Sequence, residues 1–307
     1  MSLQKITDRT FYLPGANNLG VIATGDGGAI AIDTGIDKDT GRQLRKALDA
    51  AGLTLRAIIN THHHADHIGG NAYLLRNTPG VQISAPPLEA GLIEHPILEP
   101  IYLNLGARPI SALRNRWLMA QGAPVHQLIG DIDHIQNGVS MHVEIAGVSL
   151  DLLPLPGHSP AQIGIVCDGV CFATDSYFGT AVLVKHSIPY AHDIAAQLAS
   201  IERLATRDEA WFLPGHGQLS PRSEMNELLE ANRAAVQRSS DLVLQTLTEP
   251  GDVAAITARV LRALGHALPG IPQYVIFAGA VMAHLSYLEQ QGAARVELTT
   301  EGVLWRR

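Results

Sequence analysis

Through the first eighty-odd residues the apolar positions fall into short runs. "FYLPG", "LGVIATG" and "GAIAIDTG" each group a few apolar side chains between glycines or prolines, which is the pattern of strands packed on one or both faces. Gly-Asp-Gly-Gly at 25–28 separates two of these runs and predicts a hairpin turn. From Lys38 to about Ala51 the spacing becomes helical, with Leu44, Ala47, Leu48 and Ala51 on one stripe. "LRAIIN" then reads as a buried strand, Ile68 to Asn77 as a helix and "VQISA" as a further strand.

Residues 86–130 break this rhythm. Pro86, Pro87, Pro96, Pro100, Pro109 and Pro124 punctuate short apolar helical pieces, and no strand pattern is visible. Such a stretch inside an alternating sheet protein reads as a helical insertion, a lid over a site or a packing surface. Strands resume in "VSMHVEIAGVSLDLLPLPGHS", "QIGIVCDGVCFATDS" and, after a helix near 192–206, "AWFLPGHG". The last part, 222–307, changes character again. Helices are predicted near 222–247, 252–265 and 272–291, followed by a hairpin of "ARVELT" and "GVLWRR" around a Thr-Glu-Gly turn. The expected organisation is therefore a catalytic unit over 1–221 and a small winged-helix-like unit over 222–307.

Composition narrows the setting. The 307 residues are 46% hydrophobic and 17% charged, enough for a sizeable core. No uninterrupted apolar run long enough to span a bilayer stands out, so no membrane role is expected. The start, "MSLQKITDRTFYL", has no apolar signal core. The two cysteines, Cys167 and Cys171, sit close together on what reads as one strand, which excludes a disulfide framework and suggests a cytoplasmic protein. A formal charge of -7 argues against an electrostatic nucleic-acid binder.

Fourteen histidines are the oddity, and four of them crowd "NTHHHADHIGG" at 60–70. Neutral imidazoles add little to a core, and protonated together they repel, so the crowding makes sense around a cation. His62 and His64, two apart on an extended segment, can face one ion, while Asp66 and His67 turn toward a second. His158 in "PGHS", Asp175 in "FATDS" and His216 in "PGHG" supply the remaining nitrogen and carboxylate donors. The Pro-Gly before each late histidine makes a tight turn at a strand end.

"HHHADH", with "IDTG" upstream and "PGHS", "TDS" and "PGHG" downstream, resembles the metallo-β-lactamase superfamily, whose signature is H-x-H-x-D-H followed by His, Asp and His. The resemblance spans about the first two-thirds of the chain. It implies an α/β protein with a four-layer αββα sandwich and two divalent metal ions, most simply zinc, with iron or manganese as alternatives. In that pattern His62, His64 and His158 hold one metal, Asp66, His67 and His216 the other, and Asp175 bridges them. Asp33 in "IDTG" matches a supporting aspartate. His63 falls at the variable position and reads as a residue that supports the ligands or is exposed. His95, His126, His134, His142, His186, His192, His266 and His284 read as structural or surface residues.

The chemistry implied is metal-assisted hydrolysis by a metal-bridging hydroxide, with Asp66 and Asp175 as the catalytic carboxylates. The substrate expected is a small ester, thioester or lactone. The bridging aspartate resembles the hydroxyacylglutathione hydrolase and lactonase branches. The Cys-Gly-Arg run usual in the former is replaced by "SYFGTAVLVK", and the tyrosine usual in the latter by Phe178. Tyr177 beside it is an alternative oxyanion donor or a packing residue. The apolar insertion suits an acyl group, and contact with a second copy of the chain is the alternative. A nuclease of the same fold and a non-catalytic metal-binding regulator are the competing functions. The tail helix "PQYVIFAGAVMAHLSYLEQQ" contains no lysine or arginine, which weighs against nucleic acid.

Overall fold

In the computed structural model, which describes residues 2–307 apart from His266, Leu268, Pro269 and Glu301, the short apolar runs pair into two sheets. The first follows chain order: β1 (Gln4–Lys5), β2 (Thr10–Leu13), β3 (Leu19–Ala23), β4 (Gly28–Ile32), β5 (Thr54–Ile59), β6 (Gln82–Ala85) and β7 (Gln127–Leu128). It is antiparallel up to β4 and parallel from β4 to β7. The second contains β8 (Met141–Ile145), β9 (Val148–Pro154), β10 (Ile163–Cys167), β11 (Val170–Thr174), β12 (Trp211–Pro214) and β13 (Ser220–Pro221), in reverse spatial order. Only β11 and β12 are parallel there.

Because successive strand residues face opposite ways, β4 serves two cores. Ile30 and Ile32 meet Leu150, Leu152, Ile163, Ile165 and Phe172 between the sheets. Ala29 and Ala31 lie on the other face beneath Leu44, Ala47 and Leu48 of α1 (Lys38–Ala50), whose Asp37 caps the first turn by accepting from the Asp39 and Thr40 amides. On the far side of the second sheet, Val166, Cys171 and Phe212 pack with Ile201, Met225 and Leu229 of α8 (Ile194–Ala205) and α9 (Arg222–Gln245). Each isoleucine or leucine so buried contributes roughly 1.5–3 kcal/mol. The layers are thus helix, sheet, sheet, helix, the expected αββα sandwich.

Several local expectations need correction. The predicted helix Ile68–Asn77 is two helices, α2 (Ala65–Ile68) and α3 (Asn71–Asn77), because Gly69 passes so close to the 33–37 turn that a Cβ would lie 2.1 Å from the Ile36 carbonyl oxygen. The stretch 86–130 holds α4 (Pro87–Glu94), α5 (Leu98–Leu103) and a 3-10 turn at Ser111–Leu113, but it also ends in β7, which joins the first sheet. A two-residue strand is too short to show alternation. Cys167 and Cys171 are on adjacent antiparallel strands rather than one, joined through Asp168-Gly169, and both are free thiols. Two short helices were not anticipated, α6 (Ile132–Gln136) and α7 (Thr180–Lys185).

The tail contains the far end of α9, then α10 (Val253–Leu264), α11 (Ile271–Gln290) and the hairpin β14 (Arg295–Thr299) with β15 (Gly302–Arg306). Val243, Ile256, Val260, Val281, Leu285 and Trp305 share one core with Ile188 from the segment before α8. Of the expected hairpin turn, Glu301 lies outside the described residues, as does His266. Contrary to the sequence expectation, α11 is long and apolar enough by length and composition to cross a membrane. Its second half is buried in the tail core, with His284 bonded to Ser240, and the helix also touches the insertion at α5 and the 3-10 turn.

Candidate metal centre

The histidine cluster leaves the sheet where β5 ends, and Asp33 at the end of β4 fixes its path. Asp33 adopts a left-handed φ of 61°. Its Oδ1 accepts from the Thr61 amide at 2.9 Å, and Oδ2 accepts from the Thr61 hydroxyl at 2.8 Å and His67 Nδ1 at 2.7 Å. One buried carboxylate therefore ties the start of the loop to its end. Asp33, His62 and His67 also place their donor atoms within 4.8 Å of one another, but both oxygens of Asp33 are already engaged by protein donors.

The other donors arrive from the second sheet. His158 follows β9, Asp175 follows β11 and His216 follows β12. Asp175 is presented by Thr174, whose φ of 48° is uncommon for a β-branched residue, at a slip in the β11–β12 register. Backbone held in that region costs on the order of 1–3 kcal/mol. Gly215 leaves room for the Asp175 carboxylate, since a Cβ there would lie 2.1 Å from Asp175 Oδ1.

All seven sequence-predicted residues converge. His62, His64 and His158 bring three ring nitrogens within 4.8 Å of one another, and Asp66, His67 and His216 do the same with two nitrogens and a carboxylate oxygen. Asp175 stands between the groups. Its Oδ1 is 3.4 Å from His67 Nε2, and its Oδ2 is 3.4 Å from His158 Nε2 and 3.5 Å from His216 Nε2.

The outward ring nitrogens set the tautomers. His158 Nδ1 donates to the Tyr190 carbonyl at 3.0 Å and His216 Nδ1 to the Ala16 carbonyl at 2.6 Å, while His67 Nδ1 is held by Asp33. Each of these rings then turns Nε2 inward. His62 Nδ1 lies 3.1 Å from the Thr61 hydroxyl oxygen, which leaves its Nε2 inward as well. His64 faces inward through Nδ1, 2.8 Å from His158 Nε2. His62 Nε2, His67 Nε2 and Asp175 Oδ1 are buried with no hydrogen-bond partner among the described residues. Orphaned buried donors of this chemistry fit a divalent cation.

Protonation follows from burial and neighbours. Burial pulls the His62 and His64 imidazoles well below their ordinary value, and the adjacent histidines add to the effect. Burial also lowers His67 and His216, but the surrounding carboxylates outweigh it. The Asp175, Asp33 and Asp66 carboxylates hold His67 well above its ordinary value, and Asp175 and Asp66 lift His216 to about 9. The same attraction overcomes the burial of Asp175, chiefly through His216 and His67, and brings it down to about 2. Asp66 is likewise held far below the usual carboxylate range by His67 and His216 against its burial. Both aspartates are ionised at neutral pH, and His67 and His216 must shed protons before they can ligate.

Sequence reasoning missed the residues that surround these ligands. Of the two expectations for His63, supporting or exposed, its burial fits the first. Its Nδ1 is bonded to Glu89 from α4, and its Nε2 is 3.3 Å from the Tyr102 hydroxyl of α5. Asn17, after β2, donates to the Asp66 carbonyl at 2.8 Å. Aromatic rings wall the centre: Tyr190 lies 5.7 Å from His64, and Phe178 5.8 Å from His158, between ring centroids. Glu99, from α5, is pushed up to about 8, mainly by burial and further by Asp66, against the pull of His63. The one signal for these partners was an acidic residue in the first turn after Pro86-Pro87, in otherwise apolar surroundings. Tyr177 is wholly buried among Ile201, Phe212 and Met225 and is a packing residue.

A sandwich of this topology carrying this ordered donor set defines a protein class. The chain belongs to the metallo-β-lactamase superfamily, whose profile matches residues 12–216. Among curated relatives, the hydroxyacylglutathione hydrolase of Xanthomonas campestris pv. campestris (strain B100) is 27% identical over 190 residues, covering 60% of this chain and 56% of the relative. That of Methylobacillus flagellatus is 30% identical over 146 residues, covering 47% and 42% respectively. The chain spans about half the length of the curated relatives it matches. Two solved structures share the fold over nearly the whole chain. A metallo-beta-lactamase family protein from Thermus thermophilus has a TM-score of 0.71 at 20% identity, covering 97% of this chain and 98% of its own. A beta-lactamase domain protein from Burkholderia ambifaria has a TM-score of 0.69 at 18% identity, covering 99% and 93%.

Proposed function

We propose that the chain is a binuclear metallohydrolase acting on a small thioester, ester or lactone with an apolar acyl group. The observation that carries this reading is the pair of three-donor groups joined by Asp175, with His62 Nε2, His67 Nε2 and Asp175 Oδ1 buried and without a hydrogen-bond partner among the described residues. Two divalent ions, most simply zinc, held by His62/His64/His158 and by Asp66/His67/His216 would supply Lewis acidity and water activation near neutral pH. The chain's own residues then orient and shield the reaction. Asp175 keeps the two groups in register. Asp66, with a third of its side chain exposed, is the accessible carboxylate of the centre and is placed to relay a proton to the leaving atom.

The relatives' name supports the thioester among these choices. The walls support an uncharged acyl portion: Tyr102, Phe178 and Tyr190 ring the site, and the Glu99 carboxyl is largely neutral at pH 7. The nuclease alternative is disfavoured by the tail. Arg233 pairs with Glu202 and Glu230, Arg295 and Arg306 pair with Glu297, and Arg259 bonds the carbonyls of Thr246, Glu249 and Pro250. We take 222–307 as a winged-helix-like unit that packs on the catalytic unit rather than reads nucleic acid.

The test is a parallel assay of the chelated and zinc-reloaded chain on acyl thioesters, lactones and RNA, with metal content measured by elemental analysis. Two metals per chain and zinc-dependent thioester or lactone hydrolysis are expected. Turnover of RNA alone overturns the substrate class, and a metal-loaded chain inert to every substrate favours the non-catalytic regulator.

A further inference from the structure

Glu89 is fully buried, yet its carboxylate is completely engaged. Oε2 accepts from the His63 amide at 3.1 Å and from His63 Nδ1. Oε1 accepts from the Ser159 hydroxyl at 2.7 Å and from the Ala161 amide at 2.8 Å. His63 is the residue between ligands His62 and His64, and Ser159 follows ligand His158. These two stretches come from different sheets, β5 and β9, while Glu89 comes from the insertion. A second insertion residue, Tyr102, meets the other nitrogen of His63.

We propose that Glu89 is a positioning residue for the metal centre. Reaching in from the insertion, it clamps together the two loops that carry His62, His64 and His158. The insertion is then a fixed wall of the first donor group at α4, not a lid hinged away from it. Only a carboxylate serves, because all four partners are donors, whereas an amide at this position would turn its own N–H groups toward two of them. The inference rests on the binuclear reading above, but it concerns one donor group only.

The test is titration of the metal-free chain with zinc, followed by calorimetry and elemental analysis, for wild type, Glu89→Gln and Ser159→Ala. Wild type is expected to bind two equivalents. Glu89→Gln is expected to weaken one of them by about 10- to 100-fold, the range for groups that orient metal ligands, and to leave the other unchanged. Ser159→Ala, which removes one of the four bonds, should weaken the same step by less. In a His158→Ala background, where that donor group is already broken, Glu89→Gln should have no further effect on the remaining metal. Wild-type affinity at both steps in Glu89→Gln, or equal weakening of both, overturns the clamp. Should Glu89→Gln fail to fold, Ser159→Ala decides, and unchanged affinity at the first donor group then overturns it. A wild-type chain binding fewer than two equivalents overturns the binuclear reading itself, and the clamp with it.

Discussion

His67 Nδ1 donates to Asp33 Oδ2 across 2.7 Å, and both side chains are buried. The bond fixes which nitrogen of His67 faces the metal centre, and the same carboxylate holds the Thr61 amide and hydroxyl where the loop begins. Asp33→Asn keeps the shape but turns an amide N–H₂ toward at least one of these donors. The expected result is a 10- to 100-fold loss in affinity for the metal proposed at Asp66, His67 and His216, with hydrolysis falling in parallel. Zinc titration of the apo variant measures it, and wild-type affinity would refute the supporting role.

Gly215 is a second pressure point. A Cβ there would stand 2.1 Å from Asp175 Oδ1 and 3.0 Å from His67 Cε1. Gly215→Ala should displace the carboxylate that joins the two donor groups. Metal content is expected to fall below two per chain while far-UV circular dichroism stays that of a folded protein. Full metal occupancy would count against the crowding.

Removing the carboxylate altogether should be harsher. Asp175→Ala is expected to reduce hydrolysis by more than the roughly 100-fold that marks the upper range for supporting residues. It should also free His216 to titrate lower, since Asp175 is the foremost group raising it toward about 9. Nuclear magnetic resonance titration of the metal-free variant reads the second effect independently of activity.

Tyr177 gives a contrasting case. Its hydroxyl is buried with no hydrogen-bond partner among the described residues. Tyr177→Phe should leave hydrolysis unchanged and raise stability by about 1 kcal/mol, by removing an unmet polar group. A large loss of turnover in urea-stable protein would instead restore it as an oxyanion donor.

Far from the metals, His284 sets a pH dependence. Burial pushes its imidazole down to about 4, below the ordinary value near 6.5. Between those values the unfolded chain binds the extra proton, so stability rises with pH there. The contribution is present above about pH 6.5 and is lost as pH falls toward 4, a change of about 3 kcal/mol. Denaturation of wild type against His284→Asn across that range should show the wild type with the steeper slope. Equal slopes would remove His284 as the cause.

The convergence of the seven His and Asp residues was legible in the sequence because each lies where a strand gives way to a turn, and "HHHADH" keeps four of them within six residues. The sandwich was legible because runs such as "GAIAI" are apolar at every position, which suits strands covered on both faces. Glu89, Tyr102 and Asn17 were not, since tertiary packing alone brings them to the centre and no local spacing encodes that meeting. The break between α2 and α3 was hidden for a similar reason: Gly69 is tolerable within a helical pattern, and only the approach of Ile36 shows why it ends one. The strand β7 is too brief for any period to register.

Helix α11, from the far end of the chain, rests on the inserted segment at α5 and at the turn Ser111–Leu113. The inserted segment is therefore propped by a stretch of polypeptide distant in sequence. Grafting 86–130 from a relative without its matching 271–290 would leave a mismatched seam, so the two pieces have to be exchanged together.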